Sequence, residues 1–215
     1  MPFPDQKPHI YVLAGPTGSG KSELIRYFQK RNVQALDLEG MCGHDGSVFA
    51  PLTYEKQPSS YQFHKQLLKT WNRFDKEQPI FIESELKRIG NLNLPEWLNH
   101  FLLEADQIYL EADRNIRLER LSAIIARAEP MLFLSCLQKL EAKLGPEKLA
   151  AATQSFHQAD FTNAANILTA YYDATPGYAR ISAKIRLILK VETTEIASIA
   201  RQILDFMNSE MELVV

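Results

Sequence analysis

The stretch AGPTGSGKSEL, residues 14–24, limits what this chain can fold into more than any other. It fits the pattern G-x-x-x-x-G-K-[ST] through Gly15, Gly20, Lys21 and Ser22. Ahead of it runs HIYVLAG, residues 9–15, continuous in β-branched and aromatic residues. Such a run suits a strand buried on both faces of a parallel sheet. Behind it, KSELIRYFQKR sets Leu24, Ile25 and Phe28 on one face of a helix. Gly15, Gly18 and Gly20 permit backbone conformations that turn successive N–H groups toward an anion. The helix start adds a favourable dipole at the same point. Pro16, Thr17 and Ser19 complete the loop. Lys21 is expected to reach terminal phosphates, and Ser22 to place its hydroxyl on Mg²⁺. The motif specifies a phosphate chain without specifying whose.

Further strands and helices alternate along the chain. VQALDL (33–38), PIFIE (79–83), QIYLEA (107–112) and KIRLILKV (184–191) read as four more strands. YQFHKQLLKTWNRF, beginning at Tyr61, carries Phe63, Leu67, Leu68 and Trp71 at helical spacing. LPEWLNHFLL reads as a short helix with Pro95 in its first turn. Residues 39–60 are rich in Gly, Ser and Pro and read as loop, and LKRIGN as a basic connector. Residues 113–175 read as several helices broken near Pro130 and at Gly145-Pro146. Thr194 is the expected N-cap of a terminal helix burying Ile196, Ile199, Ile203 and Met207. The pattern predicts one α/β domain over 1–215. Its expected form is a P-loop NTPase fold: a five-stranded, mostly parallel sheet with helices on both faces and a helical insert before the last strand.

Composition narrows the function. With 24 basic and 26 acidic side chains the net charge is −2, so no global basic excess points to nucleic acid. DNA is not an expected partner, and an RNA partner would need a local basic patch. Arg180, Lys184, Arg186 and Lys190 give the last strand region a basic tint that serves either an RNA surface or simply a charged one. Cys42 and Cys136 lack zinc-ligand spacing, and two cysteines make no disulfide framework. The prolines and charges of MPFPDQKPHIYV do not suit a signal peptide. No run approaches the length of a membrane span. A cytoplasmic location without membrane association is the expectation.

Several side chains carry candidate chemistry. Glu83 ends a buried apolar strand as a Mg²⁺-binding acid does, against the plainer reading of a solvated strand end. Glu85 could polarise a water or accept a proton. Asp37 and Glu39 end the second strand at the carboxyl edge of the sheet, where they contact a substrate or cap a loop. His44, in GHDGS, is either a phosphate donor or general base, or a structural loop residue. Cys42 beside it reads as inert filling more than as a nucleophile. Lys87 and Arg88 follow the acidic strand, and Arg114, Arg117 and Arg120 follow the fourth. Those three arginines lie either over a transferred phosphate, as in P-loop kinases, or on a solvated face paired with Glu111 and Glu119.

Taken together the chain resembles the P-loop domain of tRNA 2-selenouridine synthase. The likeness runs through LDLEGMCGHDGSVF (36–49), QPSSYQF (57–63), IESELKRIGNLNLPEWL (82–98), KLEAKLGPEKL (139–149) and ILTAYYDATPGY (167–178). It implies site roles for Glu83, Glu85 and His44, and for Ser47 in a loop that family members usually write H-R-G-S. It implies the same for Tyr172 and Asp173 in a Y-Y-D match, and substrate roles extend to Asp37, Glu39 and Arg88. Asp45 departs from the family, standing where arginine is usual. The family's enzymes carry a rhodanese-like domain ahead of this one, so the resemblance implies a stand-alone P-loop domain with a separate rhodanese-type partner. It also implies ATP or GTP with Mg²⁺, or geranyl diphosphate, as ligand, and tRNA bearing a wobble 2-thiouridine as partner. A small-molecule or nucleotide kinase is the rival enzymatic reading, and a nucleotide-dependent switch the non-enzymatic one.

Overall fold

A computed structural model describes residues 8–85, 87–175 and 184–212, with side chains up to Ser209. The chain enters through β1 (Ile10–Ala14), buried on both faces as its unbroken apolar run requires. The glycine loop follows and opens into α1 (Lys21–Lys30). After α1 come β2 (Ala35–Leu36), α2 (Leu38–Cys42), a 3₁₀ turn (Ala50–Leu52), α3 (Ser60–Trp71) and β3 (Ile80–Glu83). A small hairpin, β4 (Arg88–Ile89) and β5 (Leu92–Asn93), precedes α4 (Glu96–Glu104) and β6 (Asp106–Ala112). Between β6 and β7 (Ile185–Val191) sits the helical insert. It comprises α5 (Arg114–Ala126), α6 (Pro130–Gln138), α7 (Glu141–Leu144), α8 (Pro146–His157) and α9 (Phe161–Asp173). α10 (Ile196–Glu212) closes the fold.

Five strands form one sheet in the order β2-β3-β1-β6-β7, every neighbouring pair parallel. The chain first builds the β1 flank that holds β3 and β2, then crosses to build the β6 and β7 flank. The crevice at the carboxyl end of β1 is therefore the switch point where ligands of open α/β sheets bind. The register sets Leu13 beside Glu83 and Ala14 beside Tyr109, which brings the glycine loop and the acidic end of β3 to one edge.

Strand alternation splits the core between the two faces. Ile10, Val12, Leu36, Ile80 and Ile82 pack with Phe63, Leu67 and Trp71 of α3 and with Trp97, Leu98 and Phe101 of α4. Tyr11, Leu13, Phe81, Ile108 and Leu110 pack with Leu24, Ile25 and Phe28 of α1 and with Ile199, Ile203 and Met207 of α10. The insert has its own core, with Phe133 stacked on Phe156 at 4.4 Å between ring centroids.

Several local expectations are corrected. The second strand is only two residues long, because Asp37 turns the chain by accepting from the Gly40 N–H at 2.7 Å and starting α2. The segment expected to be all loop thus contains α2 and a 3₁₀ turn. The basic connector is an antiparallel hairpin with Gly90 at φ +57°. Gln57 fixes it, donating to the carbonyls of Ile89 and Cys42 and accepting from the Asn91 N–H at 2.7 Å. Thr194 does not cap the last helix, which starts at Ile196; its hydroxyl donates to Glu119 instead. Arg180 and the end of the ILTAYYDATPGY match lie outside the described residues.

Phe28 is fully buried and packs against Phe81 at 4.7 Å, joining α1 to β3. Phe28→Ala is expected to lower unfolding stability by about 3–5 kcal/mol. A urea unfolding midpoint equal to that of the wild type would rule out this packing.

Candidate functional site

The glycine loop is held from its outer side. Arg117 Nε donates to the Thr17 carbonyl at 2.8 Å, and Arg120 Nη1 donates to the Ser19 carbonyl at 2.9 Å. Lys21 Nζ reaches back to the Gly15 carbonyl at 2.8 Å and to that of Pro16 at 3.4 Å. The Pro16 carbonyl also takes the Ser19 N–H at 3.1 Å. With these carbonyls engaged, the α1 end beyond them keeps first-turn N–H groups that no side chain caps at Gly20. Gly20 itself has no room for a side chain. Its φ is +97°, and a Cβ would lie 2.3 Å from Arg120 Nη1.

Both arginines are pinned on their far sides. Arg117 makes a two-pronged ion pair with Asp173, at 3.0 and 2.6 Å. Arg120 also donates to the Thr194 carbonyl at 2.9 Å and lies 3.5 Å from Glu23. Neither sequence reading of the arginine cluster describes them: Arg117 and Arg120 are buried and turned onto main-chain carbonyls. Arg114 donates to Asn166 instead, at 2.5 Å.

Opposite the loop stands a group of carboxylates. Ser22 donates to Glu39 Oε2 at 2.5 Å. Burial raises the Glu39 carboxyl above the usual range, with the Ser22 hydrogen bond and the Lys21 charge pulling it back. Glu83 is fully buried, and its Oε2 accepts from the Leu38 N–H at 2.9 Å. Burial, then the charges of Glu39 and Asp37, push its carboxyl well above the usual range. Glu85 is raised to about 8, first by burial and then by Glu39. Burial lowers Lys21, although Glu39, Glu85 and Glu83 all act to raise it.

A cavity of about 710 Å³ joins these groups. Its polar half holds Thr17, Gly18, Gly20, Lys21 and Ser22 facing Glu39, Asp45 and Glu85, with Arg26 and Arg88 also on its lining. Its other half is apolar, walled by Phe49, Leu52, Leu121, Ile125, Phe133 and Leu168. Of the residues expected from the sequence, Glu39, Glu85, Ser47, Arg88 and Tyr172 line it. Glu83 is not on the lining and sits beneath it, so Glu39 rather than Glu83 faces Ser22. Asp37 caps α2, and Asp173 belongs to Arg117. His44 Nδ1 accepts from the Gly46 N–H at 2.9 Å and shapes its loop. Asp45 accepts from the Ser47 N–H, and Ser47 from the Phe49 N–H, each at 2.9 Å. Cys42 is buried and pushed up to about 12, first by burial and then by the nearby carboxylates, so it is held as an inert thiol. Sequence reasoning missed the apolar wall. Phe49 and Leu52 sat in a presumed loop, and Leu121, Phe133 and Leu168 looked like ordinary helical core.

The parallel sheet, the strand–glycine loop–helix unit and the switch-point cavity define a P-loop-like α/β domain. The family described as the tRNA 2-selenouridine synthase AAA domain matches residues 8–128, and the chain belongs to that family. It is 36% identical over 119 residues to the tRNA 2-selenouridine synthase of Shewanella woodyi, covering 54% of this chain and 30% of that protein. It is 28% identical over 151 residues to the synthase of Nitrosomonas eutropha, covering 67% and 36%. The chain thus spans about a third of the length of the curated relatives it matches. A crystal structure of an uncharacterized protein from Eubacterium ventriosum aligns with a TM-score of 0.36 at 12% identity, covering 94% of this chain and 99% of the other. Among the described residues no single helix is long and apolar enough to cross a membrane.

Two outcomes are expected. Gly20→Ala imposes a left-handed φ on alanine and drives its Cβ into a pinned guanidinium, so stability should fall by about 1–3 kcal/mol in urea unfolding. An unchanged midpoint would contradict the contact. The Glu85 carboxyl binds its proton more tightly folded than unfolded. Its contribution to stability is therefore fully present below its ordinary value of 4.5 and is lost as pH rises toward about 8. In chelator, Glu85→Gln should flatten part of that decline, and an unaltered slope would show that Glu85 does not carry it.

Proposed function

We propose that this chain binds a diphosphate ester, with the diphosphate at the glycine loop and the ester's hydrocarbon in the apolar half of the cavity. We further propose that it serves tRNA modification at the wobble 2-thiouridine; the relatives it matches are named tRNA 2-selenouridine synthases. Geranyl diphosphate is the ligand this reading favours. The observation behind it is the continuity of the cavity from Lys21 and Ser22 to Phe49, Leu121, Phe133 and Leu168. A branched hydrocarbon offers only apolar surface to such a wall, whereas a nucleotide would bring a ribose and a base edge needing polar partners.

Mg²⁺ fits the residues present. The Ser22 hydroxyl and the Glu39 carboxylate are hard oxygen donors side by side. Among the described residues no cluster of three or more His, Cys, Asp or Glu side chains is arranged to enclose a metal. Mg²⁺ usually keeps several waters and takes its remaining oxygens from substrate phosphates. Bound there, Mg²⁺ would neutralise charge on a departing diphosphate. Lys21 and the α1 N-terminus would stabilise the same charge, and Glu85 is placed to hold or take a proton. The rhodanese-type chemistry of sulfur or selenium would fall to a partner, since Cys42 and Cys136 are both buried thiols. The kinase reading is weakened rather than excluded: Arg117, held by Asp173 and the Thr17 carbonyl, does not line the cavity, whereas Arg120 lines it while donating to the Ser19 carbonyl.

The test is a thermal-shift panel of geranyl diphosphate, ATP and GTP, each with Mg²⁺. A ligand at about 100 times its Kd should add roughly 2.7 kcal/mol. Geranyl diphosphate is expected to stabilise the wild type, Lys21→Ala to lose the shift, and Leu121→Gln to weaken it. A shift with a nucleotide but not with geranyl diphosphate would overturn the ligand class.

A further inference from the structure

We infer that Asp173 is a positioning residue for the phosphate site. It acts through Arg117 on the glycine loop, so that seating the end of α9 and binding a phosphate ester are one coupled event. The inference rests on the proposed diphosphate reading of the cavity.

Local structure gives no reason for a carboxylate at Asp173. It is the last residue of α9, and a negative charge there opposes the helix dipole. Its partner supplies the reason. Both carboxylate oxygens take the Arg117 guanidinium, leaving Nε to hold the Thr17 carbonyl at 2.8 Å. Arg117 is only 7% exposed, so its fork has little freedom once Asp173 fixes it. Thr17 lies in the middle of the glycine loop, and the direction of its carbonyl helps fix which way the adjoining N–H groups point.

The same helix forms part of the cavity wall. Ala165, Leu168, Thr169 and Tyr172 of α9 line the cavity, on the last two turns or so of the helix that ends at Asp173. A ligand that fills the apolar half therefore presses on the element whose end sets the loop. The hydrocarbon and diphosphate ends of one ligand would then support each other's binding through Leu168, Tyr172, Asp173, Arg117 and Thr17. Coupling of this kind is reciprocal: what seats α9 tightens the loop, and what fills the loop steadies α9.

The test compares Asp173→Asn with Asp173→Ala in the full chain. Both remove the same charge, but only asparagine keeps an oxygen to accept from Arg117. Pyrophosphate with Mg²⁺ is titrated calorimetrically at physiological salt, and amide exchange over 165–173 is followed with and without it. Asp173→Ala is expected to bind on the order of ten-fold more weakly than Asp173→Asn. Pyrophosphate should slow exchange at the end of α9 in wild type and Asp173→Asn but not in Asp173→Ala. A role confined to tethering α9 would change unfolding in both variants while leaving the affinity of the folded protein equal, and equal affinities overturn the inference. Should Asp173→Ala fail to fold, Arg117→Lys keeps the charge but loses the fork. It is expected to bind pyrophosphate weakly, and wild-type affinity there overturns the inference equally. A wild type that binds pyrophosphate no better than Lys21→Ala does overturns the phosphate reading itself, a different result from a wild type that binds and variants that bind as well.

Discussion

The structure depends on how the carbonyls of a short glycine loop are satisfied. A loop that aims its N–H groups inward must turn carbonyls outward, and a buried carbonyl without a donor is costly. Here Lys21 takes Gly15 and Pro16, Arg117 takes Thr17, and Arg120 takes Ser19. Two of these donors come from α5, about a hundred residues further along the chain. The helical insert is therefore not an ornament on the sheet. It supplies the outer half of the loop's hydrogen bonding, and through Asp173 and Thr194 it ties that loop to α9 and to the approach to α10.

Electrostatics then divides the site. One wall carries Glu39, Glu85 and Asp45, the charges of Glu83 and Asp37 act on the same group without lining the cavity, and burial holds three of these carboxyls above their usual range. Carboxyls this crowded gain from a cation, which is the physical ground for proposing a Mg²⁺-bearing phosphate ligand at the polar half. The opposite wall has no charge to offer and is built from the insert's own core residues, so the cavity grades from ionic to apolar over a short distance. Asp45 adds one more negative charge on the polar side, whereas an arginine there would have countered it.

Much of the framework was legible in the sequence. β1, the glycine loop and α1 follow from a continuous apolar run, a glycine pattern and a 3.6-residue repeat, all of them local signals. The alternation of strands and helices foretold the parallel sheet and the insert. Legibility failed where local signals were weak or tertiary partners decided. The hairpin at Arg88–Asn93 exists because Gln57 reaches it from a distant loop. α2 forms because Asp37 caps it, the capping role being one of the two its place at the strand end allowed. Glu83 ends its strand as its place in the sequence suggested, but it is fully buried with one oxygen on the Leu38 N–H and does not line the cavity.

The sequence by itself determined the strand–loop–helix unit, the fold class and the family, because those rest on contiguous residues whose spacing carries the physics. Only the tertiary structure decided the partners of the charges. Asp173 with Arg117, Arg120 with Ser19 and Glu39 with Ser22 join segments 17 to 101 residues apart. It also decided that Phe133 and Leu168, while part of the insert's core, line a cavity as well. A helical repeat tells which side of a helix is apolar, but not whether the neighbour it meets is another side chain or a space shaped for a ligand.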